Sequence, residues 1–375
     1  VRPRPTRDHA KRLDPARYAA LTGRPALSPR PEEPVAPGGE PQQATAPKVA
    51  AAAPSPTSGR ASPSPRTPRV AIVGAGPAGA AAARVLADHG LHPVVFDKGR
   101  GPGGRTSTRR DGPLRFDHGA PGIARPTRDL RWLALLEQAG ALVPDGDQRR
   151  PPEGMSSLVR QLLTGVDLRC AATVTGLAPD GRVLVASAPD LDLEAPFDHV
   201  IVAVPAPQAA PLLAPVAPGL AAAAAAVAYA PAIVLLASSA VPFSPPDAGP
   251  LAVRLQADPR AAVLTLPDTD ARSALGTPVC DVAERWFDAA TRALGHAPDT
   301  LVAHRWRYAR VDGPTAPGLS AEGRWSVCGD WAATHADVAG AIASGFAAAG
   351  DLLGRLGRDD PGPGAAAPAQ LAMFG

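Results

Sequence analysis

Val70-Ala71-Ile72-Val73-Gly74-Ala75-Gly76-Pro77-Ala78-Gly79 decides the fold of this chain. A short apolar β-type run meets Gly-x-Gly-x-x-Gly and then a small-residue helix, Ala80 to His89, the strand-turn-helix context of a dinucleotide-binding fingerprint. Gly74 permits the tight turn, Gly76 lets backbone approach a pyrophosphate, and Gly79 lets the helix pack close on the strand. Pro77 and Ala78 complete the loop, and the phosphates sit on free N–H groups at the helix N-terminus.

A second β-type run, His92 to Phe96, ends at Asp97, 23 positions after Gly74 and at the spacing of an acid that binds a ribose hydroxyl. An acid there favours an unphosphorylated adenosine ribose. Lys98 follows, then a second glycine cluster, Gly101-Pro102-Gly103-Gly104-Arg105. Gly103 and Gly104 expose backbone N–H groups, and Arg105 supplies a positive fork for phosphate. Because Arg100, Arg105, Arg109 and Arg110 crowd one segment, the alternative is a solvated basic loop, and that is the reading for Arg109 and Arg110.

The 375 residues are enough for two domains, and three cysteines without regular spacing give neither a disulfide framework nor a zinc site. No metal site is expected, and reduced cytoplasm is the compartment that fits. The pI near 9.0 invites a nucleic-acid reading. Residues 1–69, however, hold 12 Lys+Arg against 5 Asp+Glu, leaving 26 against 30 for the rest, so the basicity belongs to the tail and no nucleic-acid partner is expected. That tail holds 15 of the 46 prolines and is read as disordered over 1–68, with a short helix around Asp14 to Leu21. It lacks the apolar core of a signal peptide. A second disordered tail is expected over 357–375.

From Pro218 to Pro245 there is no charged residue, a length that could span a bilayer. Ala221 to Ala226 is only weakly hydrophobic and Pro231 divides the stretch, so a buried helix and a strand, Ala232 to Ala237, are expected rather than a membrane span. Elsewhere Leu130 to Leu142 has helical periodicity, Ser156 to Leu163 opens like a helix, and Asp167 to Val185 is strand-rich. Val200 to Pro205 reads as a buried strand stopped by proline. Cys280 is expected at a helix start.

Gly-x-Gly-x-x-Gly, an acid, Lys98-Gly99-Arg100-Gly101-Pro102-Gly103-Gly104-Arg105 and Phe116-Asp117-His118-Gly119-Ala120 together resemble the FAD-binding start of the flavin amine oxidase superfamily, and more narrowly its renalase-like branch. His304-Arg305-Trp306-Arg307-Tyr308-Ala309 is similar to a motif of that branch. Cys328-Gly329-Asp330-Trp331, followed by Val338 to Gly345, resembles the C-terminal flavin-contacting element. Here Arg324 to Cys328 reads as a strand, Gly329-Asp330 as its turn, and Asp337 to Leu353 as a helix whose N-terminal dipole could face the flavin.

The resemblance implies an α/β fold: an FAD-binding Rossmann-like domain of three ββα layers, interleaved with a smaller α+β substrate domain. The cofactor pieces would be 69–125, 152–206 and 300–356, and the substrate pieces 126–151 and 207–299. Gly329, Val338 and Ala341 would touch noncovalent FAD, and Asp330 would bind its ribityl chain. His304, Trp306, Tyr308 and Trp331 are the candidates for the reacting site, with core packing the alternative for the two tryptophans. Tyr229 is read as core. In an alternating strand, Arg305 and Arg307 fall on one side and His304, Trp306 and Tyr308 on the other; the aromatic set is the one expected to face the flavin.

Renalase-like proteins oxidise isomeric dihydronicotinamide dinucleotides at flavin N5, with reoxidation by molecular oxygen giving hydrogen peroxide, and that chemistry is what the resemblance implies. Lys11, Lys48 and Lys98 are the chain's three lysines. None can therefore follow Lys98 into the place that many flavin amine oxidases give a lysine beside N5. Two other readings remain: an amine oxidase or desaturase acting on another small or apolar substrate, and a flavin-binding protein without activity. Pro121-Gly122-Ile123, where the branch commonly has polar and aromatic residues, favours the last.

Overall fold

The computed structural model describes residues 66–124, 136–137, 140–186, 196–246, 251–319 and 321–358. The tail expectations, including the helix near Asp14, and most of the Leu130 to Leu142 segment lie outside the described residues.

Val70–Val73 is the middle strand of a five-stranded parallel sheet, flanked by His199–Val202 and then Trp325–Val327 on one side, and by Val94–Phe96 and then Asp167–Arg169 on the other. Its side chains alternate between two cores, as a period of two requires. Val70 and Ile72 pack with helices Pro77–Asp88, Ser156–Leu162 and Val338–Arg355. Ala71 and Val73 face the hairpin of Val174–Leu177 with Val183–Val185, and helices Ala206–Leu213 and Pro218–Ala225. A strand covered on both faces reads as continuously apolar, which is why Val70 to Val73 shows no alternation in sequence.

The two helices that frame the glycine loop meet closely. At Gly345 an added Cβ would run into the Ala78 carbonyl, so the Val338–Arg355 helix lies almost in backbone contact with the Pro77–Asp88 helix.

A second, antiparallel sheet has the order Ala252–Leu255, Ala261–Thr265, Tyr229–Ser238, Thr300–Val311. The resemblance groups 300–311 with the cofactor pieces; this strand lies in the second sheet. A long apolar register holds it there, Leu235↔Ala303, Leu236↔Val302 and Ala237↔Leu301, with all six residues buried. On one sheet face Arg305 donates to the Thr277 carbonyl just before helix Val279–Arg285. The other face carries Val234, Leu236 and Val263 against Phe116, with Trp306 packed alongside.

The uncharged stretch is a helix, Pro218–Ala225, and a largely buried strand, Tyr229–Ser238. Among the described residues no helix is long and apolar enough to cross a membrane.

Candidate active site

The two glycine clusters form one cradle. Gly74 has φ +109° and donates to the Phe96 carbonyl at 2.7 Å, while a Cβ there would meet the Ala203 carbonyl oxygen at 2.7 Å. A Cβ on Gly79 would collide with the Gly74 carbonyl. Gly76, by contrast, opens onto clear space: no atom lies within 4 Å of where its Cβ would stand. It is the extended residue before Pro77, the first position of the helix. Gly103 N donates to the Ala75 carbonyl at 2.8 Å, which draws the second cluster onto the first. At Gly104, φ +51°, an added Cβ would have only Gly76 as a neighbour. Gly104 thus packs on Gly76, and Gly76 opens onto clear space at a helix N-terminus, a geometry that fits a pyrophosphate.

Asp97 ties this loop together: Oδ2 accepts from Ala75 N at 2.7 Å and Oδ1 from Gly99 N at 2.6 Å. A carboxylate offers about four lone-pair sites, so capacity for ribose hydroxyls remains. Lys98 is exposed and donates to Gln208 Oε1 at 3.3 Å.

Arg105 and Asp330 meet as a two-pronged pair. Nη1 reaches Oδ2 at 2.6 Å and Nη2 reaches Oδ1 at 2.7 Å, with Asp330 fully enclosed and Arg105 partly so. Tyr229 completes the group by donating its hydroxyl to the same Oδ1 at 2.7 Å, its ring 5.5 Å from the guanidinium carbon. Burial works against the Arg105 charge, yet the Asp330 pair outweighs it and the pKa rises. Burial, with the neighbouring Asp330 charge, pushes the Tyr229 phenol well above its ordinary range, so it stays a donor. Tyr229 packs against the core and also bonds to this pair. The fork expected on phosphate is held by Asp330, leaving the cradle amides as the phosphate donors.

An aromatic wall stands beside this group. His118 stacks on Trp306 with centroids 5.3 Å apart, and His304 meets both edge-on, at 4.6 Å from His118 and 4.5 Å from Trp306. Trp306 Nε1 donates to the His118 carbonyl at 2.7 Å. Gly119 makes the approach possible, because a Cβ there would run into the Arg105 carbonyl and press on Trp306. Tyr308 lies edge-on to Tyr229, centroids 6.1 Å apart. His304 and Trp306 share the sheet side facing Phe116 and His118, opposite the side on which Arg305 is bonded, and the pairing with Tyr229–Ser238 shifts register between Trp306 and Arg310, around Tyr308.

Trp331 is 0% exposed, its Nε1 donates to the Val204 carbonyl at 3.1 Å, and it packs among Val73, Val202 and Val327, the arrangement of the core-packing alternative. The preceding Gly329 has φ +138° and is held by Ser344, whose Oγ accepts from Gly329 N at 2.9 Å. Val338 and Ala341 pack in the core around the Pro77–Asp88 helix. The helix N-terminus also differs from expectation: Asp337 caps it, accepting from Gly340 N at 2.7 Å, so a carboxylate already occupies its positive end.

His118 stood in the quoted glycine-flanking motif without a role of its own. Tyr229 had no local signal, because its partners Arg105 and Asp330 are remote in sequence.

Comparison with known proteins agrees with this geometry. Residues 72–139 match the NAD(P)-binding Rossmann-like domain, and residues 130–353 match the flavin containing amine oxidoreductase family. A putrescine oxidase triple mutant redesigned in cofactor binding superposes with a TM-score of 0.58 at 15% identity, over 77% of this chain and 99% of that one. Cyclohexylamine oxidase from Brevibacterium oxydans gives 0.56 at 14% identity, over 78% and 100%. At such identities these two carry the fold alone. The family match covers most of the chain, and the open glycine cradle with Asp97 fits the dinucleotide half of FAD. The chain therefore belongs to the flavin-containing amine oxidoreductase family, as an FAD-dependent oxidoreductase.

Proposed function

We propose that this oxidoreductase is renalase-like and oxidises dihydronicotinamide dinucleotide isomers. When bound, FAD would supply a two-electron acceptor, so that the donor's hydride and one solvent proton would together convert molecular oxygen to hydrogen peroxide. The chain's own groups then need only bind, orient and exclude water, since hydride transfer requires no protein nucleophile.

The observation that carries this reading is the wall of His118, His304 and Trp306 beside Gly119. Its flat faces suit a planar dihydropyridine ring. His304 and Trp306 are assigned to stack and orient the donor, and Tyr308 to close the end toward Tyr229. The Arg105–Asp330–Tyr229 group is assigned to the ribityl side, and Gly76, Gly103, Gly104 and Asp97 to the pyrophosphate and ribose. Lys98, Val338 and Ala341 are assigned to the loop and helix that support the cofactor. The cofactor domain is taken as 69–125, 152–206 and the part of 300–356 that follows Val311. The substrate domain takes 126–151, 207–299 and the Thr300–Val311 strand.

The sequence also supports this reading over amine oxidation, because no lysine follows Lys98. The test is product analysis in air: one oxidised nicotinamide dinucleotide and one peroxide per donor consumed. Turnover of primary or cyclic amines, with none of the dihydronicotinamide isomers, would replace the proposal by amine oxidation.

A further inference from the structure

The face of the second sheet that carries His304 extends to Arg254. Arg254 pairs with Val263, Val263 with Leu236, and Leu236 stands two residues from Val234, which pairs with His304. Directly paired residues share a face, so Arg254 and His304 point the same way, three strands apart and about 14 Å across the sheet.

Arg254 is held in place. One terminal nitrogen donates to the Asp117 carbonyl, and the buried Gln256 locks the same segment, Oε1 accepting from Asp117 N at 2.9 Å and Nε2 donating to the Arg254 carbonyl at 3.1 Å. The next carbonyl along, that of His118, receives Trp306. One backbone ledge therefore fixes both the aromatic wall and the arginine.

The other terminal nitrogen of Arg254, Nη1, is buried and has no hydrogen-bond partner among the described residues. Leaving such a donor unsatisfied is costly. The nearby carboxylates are engaged elsewhere: Asp117 Oδ1 accepts from Thr108 Oγ1 at 2.6 Å and from Met155 N at 2.9 Å, and Asp145 pairs with Arg150 at 3.3 Å. Burial, with Arg150 adding to it, lowers the Arg254 pKa despite Asp117 and Asp145, as expected of a charge short of partners.

We propose that Arg254 is the anion anchor of the substrate site, receiving a phosphate of the dinucleotide donor while the oxidisable ring lies at His304 and Trp306. The planar guanidinium fork matches phosphate, and its second prong is the one left open. This deepens the proposed function and rests on it for the identity of the ligand.

The test uses the holoenzyme under anaerobic conditions, with wild type, R254M and R254K each reduced by dihydronicotinamide isomers offered as dinucleotide and as phosphate-free riboside. Losing one charge-assisted contact raises the dinucleotide Kd about 10- to 100-fold in R254M, well beyond any change in the riboside Kd. R254K recovers part of the affinity. Equal weakening toward both donors, or none toward either, overturns the proposal. If neither donor reduces wild type, it is the hydride-donor reading that fails, and ADP-ribose titrated against flavin absorbance then judges Arg254 alone. Binding by wild type that weakens in R254M supports the anchor; equal binding, or no binding to wild type, overturns it.

Discussion

Asp330 Oδ1 accepts both Arg105 Nη2 and the Tyr229 hydroxyl, so three side chains from three parts of the chain converge on one oxygen. Tyr229→Phe deletes a hydrogen bond to a charged acceptor, worth roughly 1–2 kcal/mol, and is expected to weaken FAD binding about 5- to 30-fold in a fluorescence titration of apoprotein. Asp330→Ala leaves Arg105 enclosed without its counter-charge. Breaking a buried pair from one side costs about 3 kcal/mol, read as a fall in the Tm of the apoprotein. Cys328, beside Gly329, is fully buried, and burial pushes its thiol up from 9.0 to about 12. A group whose folded pKa is raised contributes stability that is complete below pH 9 and is lost as pH climbs toward 12. Iodoacetamide at mildly alkaline pH is therefore expected to label the half-buried Cys170 and Cys280 in native protein, and Cys328 after denaturation alone. The same burial keeps Cys328 from bonding to FAD, so acid precipitation should leave the yellow chromophore in the supernatant.

At the scale of elements, the glycine-loop helix and the Val338–Arg355 helix work as one support for the cradle. Gly345→Ala forces a Cβ against the Ala78 backbone, which no side-chain rotation relieves. An overpacking cost of about 1–3 kcal/mol is expected, seen as a lower Tm together with faster FAD release. These elements were legible in the sequence because their sterics are local. Gly74, Gly79 and Gly103 are glycines since a Cβ there meets backbone or needs a positive φ, and such demands leave a pattern. Trp331 shared a motif with Gly329-Asp330, but its burial is decided by remote strands, so the motif could not tell a ligand face from a core face. Tyr229 and Arg254 left no trace at all, because antiparallel pairing across long separations brings them to the site. The partner of the Thr300–Val311 strand is likewise fixed by register, not by its own composition.

For the whole molecule, one sheet carries the glycine cradle and the other presents the aromatic and cationic groups to which the proposal assigns the choice of substrate. The family and the cradle give FAD and oxidoreductase chemistry; the second sheet supplies the substrate reading. Purified holoenzyme mixed anaerobically with dihydronicotinamide dinucleotide isomers in a stopped-flow spectrometer tests that reading most directly. The account predicts rapid bleaching of the oxidised flavin absorbance, saturating with donor concentration, and recovery of the yellow spectrum when oxygen is admitted. A flavin that stays oxidised with every isomer, in a protein that retains its FAD, would contradict it.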